Sequence, residues 1–259
     1  MSSPFIGRAR STATALAITL ALAALGGCAS YDVTSPKDAR DNAKSGDAKN
    51  GEASGTVDCR KAKCVALTFD GGPSEPTPHL LDVLKQKHVH ATFFLQGRGH
   101  VAKYPGTVRR MAAEGHEVAD HTWTHKVLTD LDPAEIRQEL SSVQDSIAKI
   151  TGHRPDLMRP PEGRTDEKVS KVCRELGLAQ ILWSVTAKDY QTNDTALITK
   201  RVLDQTRPDG IILLHDRYPG TIPAVPGIIN TLRSRGYTLV TVSQLLAPAA
   251  PEPGMVYRP

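Results

Sequence analysis

Asp70, His121, His125, Arg159, Asp189 and His215 lie at or just beyond the ends of apolar runs. Runs of that length read as buried parallel strands, and the lip at a strand's C-terminal end is where α/β folds place chemistry. Two carboxylates, three imidazoles and a guanidinium converging on one rim are more than random surface polarity. His121 and His125 are four residues apart. That separation puts two imidazoles on one metal if the loop turns helically, although capping and core histidines share it. Asp70 borders the turn Gly71-Gly72-Pro73. It fits a reacting carboxylate or the cap of the following helix. Arg159 precedes Pro160-Pro161 and, ending a buried strand, needs a buried acid as partner; Asp70 is the natural one. His215 closes the apolar run Ile211–Leu214. A general acid or base belongs there, and a satisfied core histidine fits as well.

The elements that must position these groups alternate along the chain. Strands are predicted at Val65–Phe69, Ala91–Leu95, His116–Ala119, Leu157–Arg159, Ala179–Val185, Gly210–Leu214 and Tyr237–Val242. Helices are predicted at Pro76–Lys87, Pro105–Glu114, Pro133–Ile150, Asp166–Leu176, Thr195–Gln205 and Pro223–Arg235. The Pro133–Ile150 helix is the best marked: Asp132 caps it, Pro133 opens it, Glu135 completes a capping box and Gly152 stops it. Strands alternating with helices give a parallel α/β domain, and about seven strands favour an incomplete (β/α) barrel over a closed eight-fold one.

The chain has 259 residues, a net charge of +4, 23% charged and 39% hydrophobic residues, which suits one domain with extensions. The basic excess is too weak and scattered for nucleic-acid binding, and 5% aromatics leave little for a base-stacking surface. Arg8 and Arg10 precede an apolar run from Ala13 to Leu25, which reads as a secretory signal too short to span a membrane comfortably. It ends in Leu25-Gly26-Gly27-Cys28, which resembles the bacterial lipobox, so residues 1–27 are expected to be removed and Cys28 to carry lipid. Residues 28–57 mix charges with small residues and read as a flexible tether, with a helix as the alternative for the Ala-containing part. An exported chain can keep disulfides. Cys59 and Cys64 are spaced to staple the entry to the first strand, leaving Cys173 buried and inert. The folded domain is expected over 58–246, and the Pro-rich tail 247–259 is expected to be irregular.

Five stretches occur in order: Thr68-Phe69-Asp70-Gly71-Gly72, His121-Thr122-Trp123-Thr124-His125, Arg159-Pro160-Pro161-Glu162-Gly163, Trp183-Ser184-Val185 through Asp189, and Leu213-Leu214-His215. Together they resemble the polysaccharide deacetylases, the NodB-homology domain of carbohydrate esterase family 4, over roughly Lys63 to Leu246. The resemblance implies a distorted (β/α) barrel that removes N- or O-acetyl groups from cell-wall glycan, chitin or xylan. It implies Asp70 as general base, with Arg159 orienting it. His215 would be general acid, with Asp189 holding its imidazole. His121 and His125 would bind a divalent metal, usually zinc. Pro161 and Glu162 would sit at the substrate, with the Glu162 main-chain N–H on the oxyanion. Trp183 and Leu213 would line the acetyl pocket. Peptidoglycan is the favoured partner of a lipid-anchored monomer outside the cell.

Gly71 departs from that pattern, because the family has a second Asp there as the third metal ligand. Glu162 stands where Tyr is common, and Thr186 and Tyr190 differ from the usual Asp and Trp. Three outcomes are open: a second water takes the missing ligand's place, Glu162 or Asp120 reaches in, or the site stays empty. Asp120 would point away from His121 if the segment is extended. The alternative function is a degenerate domain that binds glycan without cleaving it.

Overall fold

The computed structural model describes residues 1, 31–43 and 57–259. The export and lipid-attachment segment, Cys28 included, lies outside the described residues, as does most of the expected tether. In chain order the elements are β1 (Val33–Thr34), α1 (Pro36–Asn42), β2 (Lys63–Gly72), α2 (Thr77–Gln86), β3 (Thr92–Leu95), α3 (Pro105–Ala113) and β4 (Glu117–Asp120). There follow α4 (Pro133–Thr151), β5 (Leu157–Met158), α5 (Glu167–Leu176), β6 (Ala179–Ile181), β7 (Val185–Thr186), α6 (Thr195–Gln205), β8 (Gly210–His215), α7 (Thr221–Ser234), β9 (Tyr237–Val240), α8 (Val242–Leu246) and β10 (Val256–Tyr257). All strand pairs are parallel, in the order β1-β10-β6-β5-β4-β3-β2-β8-β7, with β9 added to the start of β2. The sheet curls into a distorted, incomplete (β/α) barrel. Among the described residues no helix is long and apolar enough to cross a membrane.

β2 is the axis of the fold. Nine of its ten residues are buried, and it pairs with β3, β8 and β9. Its apolar side chains reach the layer beneath the helices, where Phe69 stacks on Phe93 with centroids 5.3 Å apart. α4 follows its sequence signals: Asp132 accepts from the Glu135 N–H, Glu135 returns to the Asp132 N–H, and Gly152 ends the helix in the left-handed region. Cys59 and Cys64 form a disulfide, and Cys173 is free and buried.

Three expectations need correction. The predicted strand Ala179–Val185 is two strands, because the chain changes partner at Trp183. Leu182 N–H donates to Tyr257 O, and Ser184 N–H donates to Ile211 O across the barrel's opening. The Pro-rich tail is not irregular throughout: β10 inserts between β1 and β6, with Val256 and Tyr257 buried. Part of the expected tether is folded onto the domain as β1 and α1. Ser35 caps α1 by accepting from Asp38 N–H. Buried Arg40 anchors it through Leu245 O and Asp209 Oδ1, each at 2.9 Å. With the split strand, these additions raise the count among the described residues from about seven strands to ten.

Candidate active site

Asp70 stands near the end of β2, where a register shift between Asp70 and Gly72 breaks the ladder to β3. Its Oδ1 accepts from Arg159 Nη1 at 2.6 Å, and the same nitrogen donates to Thr68 Oγ1 at 2.8 Å. Arg159 Nε donates to Ile181 O, and its guanidinium lies 4.0 Å from the Phe94 ring centroid. The arginine is fully buried, so it holds Asp70 in one position without access to water.

His121 follows β4. Its Nδ1 lies 2.8 Å from Arg159 O, which only accepts, so Nδ1 carries the proton and Nε2 keeps its lone pair. Nε2 is 3.9 Å from Asp70 Oδ2. Burial pushes the His121 imidazole down to about 4, although the Asp70 charge opposes the shift, so the ring is neutral at neutral pH. The loop to His125 is not helical: Thr122 and His125 take φ of 67° and 62°. Glu139 fixes it by accepting from the Thr124 N–H and hydroxyl, at 2.7 and 2.6 Å. The result still brings the two imidazoles together, edge to face at 4.9 Å. Burial lowers His125 as well, and the positive charge of Arg217 adds to the effect.

His215 ends β8. Its Nδ1 is 2.8 Å from Asp189 Oδ1, while Asp189 Oδ2 accepts from the His215 N–H and from Thr221 Oγ1. Burial alone would raise the Asp189 carboxyl, but those hydrogen bonds hold it below the usual range. Tyr190 and Tyr218 stand edge-on to the His215 ring at 5.8 and 5.3 Å. Asp70 and His215 are register partners across β2 and β8, so their side chains leave the sheet on the same side.

Pro161 is buried, Leu213 is 6% exposed, and half-buried Trp183 lies beside the 160–163 turn. The Trp183 ring is 5.7 Å from the Arg159 guanidinium, and a Cβ on Gly163 would stand 2.9 Å from the indole. Glu162 is exposed, with φ 58°. Asp120 is fully buried and accepts from the Thr122 N–H through Oδ1, at 2.8 Å. Burial raises its carboxyl well above the ordinary value.

The structure therefore joins Asp70 to Arg159, His121 to His125, and Asp189 to His215. Sequence reasoning missed Thr68 and Thr221, which complete the two carboxylate networks, and Arg217, which lies against Gly71. Only Thr68 carried a signal, as a polar residue inside an apolar strand. Among the described residues no group of three or more His, Cys, Asp or Glu side chains is placed to hold a metal.

A profile of the family "Polysaccharide deacetylase" matches residues 58–181. The peptidoglycan-N-acetylmuramic acid deacetylase PdaC of Bacillus subtilis (strain 168) is 41% identical over 191 residues, covering 73% of this chain and 40% of PdaC. The chain thus spans about two fifths of that relative's length. The chitooligosaccharide deacetylase of Bradyrhizobium sp. (strain ANU 289) is 38% identical over 211 residues, covering 75% of this chain and 93% of the relative. Among solved structures, the T48 deacetylase with substrate superposes with a TM-score of 0.75 at 38% identity, covering 78% of this chain and 100% of the other. With more than nine tenths of the Bradyrhizobium protein matched at that identity, on the same parallel barrel, the chain belongs to the polysaccharide deacetylase family.

Proposed function

We propose that this chain is a hydrolase that removes acetyl groups from an acetylated polysaccharide. N-acetyl groups of peptidoglycan are the foremost target, with chitooligosaccharides and acetylated xylan behind. One observation carries the reading: an Arg159-held carboxylate and an Asp189-held imidazole stand in register on adjacent strands, as Asp70 and His215. The names of the relatives support the substrate class.

In this reading Asp70 takes a proton from the water that attacks the acetyl carbon. The C–N bond then breaks as His215 gives a proton to the departing sugar nitrogen, releasing acetate and a free amine. Arg159 keeps Asp70 aimed. Asp189 occupies His215 Nδ1, so Nε2 is the atom that exchanges the proton. The main-chain N–H of Glu162 donates to the oxyanion, and Pro161, Trp183 and Leu213 wall the acetyl group.

His121 and His125 are the donors this chain would offer a divalent metal such as zinc. They fall short of the three protein ligands a catalytic zinc takes, because Gly71 supplies none and Arg217 stands against it. The proton transfers above are therefore assigned to the chain's own residues alone. The same departure favours a second reading, a domain that binds glycan without turnover.

Acetate release from N-acetylglucosamine oligomers and from peptidoglycan tests the assignment. Release by the purified protein supports hydrolysis; glycan binding with no release on any substrate, with zinc or cobalt supplied, transfers the case to the second reading. We further propose that the chain works outside the membrane on a lipid anchor; Leu25-Gly26-Gly27-Cys28 supports this reading. Fatty-acid labelling should be lost in Cys28→Ala, and equal label in both forms rules Cys28 out.

A further inference from the structure

Gly71 and Arg217 come from the ends of neighbouring strands and meet at the pocket. Gly71 has φ +77°, and a Cβ there would lie 3.5 Å from Arg217 Cζ, 3.6 Å from Nη1 and 3.8 Å from Nε. Any side chain at position 71 would thus begin in contact with the guanidinium. Arg217 is half-buried, and its Nη2 reaches Tyr218 Oη at 3.4 Å. Among the described residues no carboxylate pairs with Arg217.

We propose that the Arg217 guanidinium takes the place of a metal-ligand carboxylate at position 71, so that His121 and His125 face a fixed positive charge where a third anionic donor would stand, and the pocket binds divalent cations weakly. This rests on reading the two histidines as a metal pair. Exchanging a carboxylate for a guanidinium changes the local charge by two units, which opposes a dication at separations of a few ångström. The two positions are therefore coupled. An Asp introduced at 71 would meet Arg217 first and be neutralised by it, in the charge-assisted pairing arginine favours. Restoring the ligand alone is then not enough; the guanidinium must also go.

Isothermal titration of the purified protein with Zn²⁺, at fixed pH and salt, tests this. Arg217→Gln should tighten binding about tenfold by removing the charge, and Arg217→Glu about 100-fold by adding a carboxylate as well. Gly71→Asp alone should stay within about threefold of wild type, while Gly71→Asp with Arg217→Gln should gain about 100-fold or more. Gly71→Asp binding as tightly as the double variant would overturn the proposal. So would Arg217→Glu binding no better than wild type, or a gain in Arg217→Glu that survives His121→Ala. The Arg217 variants leave the left-handed backbone at 71 untouched, so they decide the matter even if Gly71→Asp fails to fold. Titration reads no acetate, so failure here is separate from failure of the deacetylase assignment.

Discussion

Asp70 and His215 are opposite one another in the β2–β8 ladder, each clamped by a partner from a third segment. A parallel pair in register projects both side chains from the same face, so the carboxylate and the imidazole stay a fixed distance apart. Their strands are themselves fixed, since β2 and β8 are buried along nearly all their length. Asp70→Asn and His215→Ala should each lower turnover by roughly 10²-fold or more, the usual contribution of a general base or acid. Circular dichroism should stay unchanged. Acetate release at the wild-type rate from either folded variant removes that residue from the reaction.

Arg159 serves both stability and alignment. It is fully buried and bonded to Asp70, Thr68 and Ile181, and its main-chain oxygen orients His121. Arg159→Met leaves a buried carboxylate without its counter-charge, a loss of about 3–5 kcal/mol in comparable buried pairs. Adding Asp70→Asn removes the stranded charge and should recover much of that loss. Urea unfolding of the four proteins gives the coupling directly. Additive losses would show that Arg159 matters for packing and not for Asp70.

Much of this arrangement was legible in sequence because it is local. Each site residue lies at or just past the end of an apolar run, and α4 carries its cap, its first-turn proline and its terminating glycine within a single stretch. What stayed hidden is long-range. Nothing near position 217 announces a partner at 71, and the Gly71 signal spoke only of a missing ligand. Composition misled twice. Charged, Ala-containing residues at 36–42 favoured a tether over a helix, yet the Ser35 cap and the Arg40–Asp209 pair make them a docked helix. Proline in the tail suggested irregularity, yet the residues after it supply a buried strand.

Asp216 gives a pH-dependent prediction. It is fully buried beside the site, accepts from Thr77 Oγ1 at 2.6 Å, and burial raises its carboxyl to about 6. A Cβ on Gly72 would overlap its Oδ2 at 2.0 Å, so the glycine is what lets it sit there. A carboxyl raised in the folded state favours folding in its protonated form, below its unfolded value near 3.8. That contribution fades as pH rises through about 6. Asp216→Asn, which cannot ionise, should match wild type near pH 4 and exceed it by roughly 3 kcal/mol above pH 7, from a shift of about two units. Denaturant midpoints at several pH values check it. A difference that does not change with pH means that Asp216 does not titrate in this window.

The tail offers the sharpest separation between composition and structure. Val256 and Tyr257 are buried, and Gln180 N–H and Leu182 N–H donate to Met255 O and Tyr257 O. Those bonds hold β6, whose Ile181 oxygen accepts from Arg159, and they sit next to Trp183 in sequence. Ending the chain after Gly254 would uncover β6 and remove two buried side chains, each worth about 1.5–3 kcal/mol. The truncated protein should therefore unfold at lower denaturant and exchange the Gln180 and Leu182 amides faster. Acetate release should fall as well, through a loosened Trp183 and Arg159. Tyr257→Ala should reproduce part of each effect at about 3 kcal/mol, within the range for emptying a buried aromatic site. A truncated protein as stable as wild type, with the two amides still protected, would mean that β6 holds its place without β10.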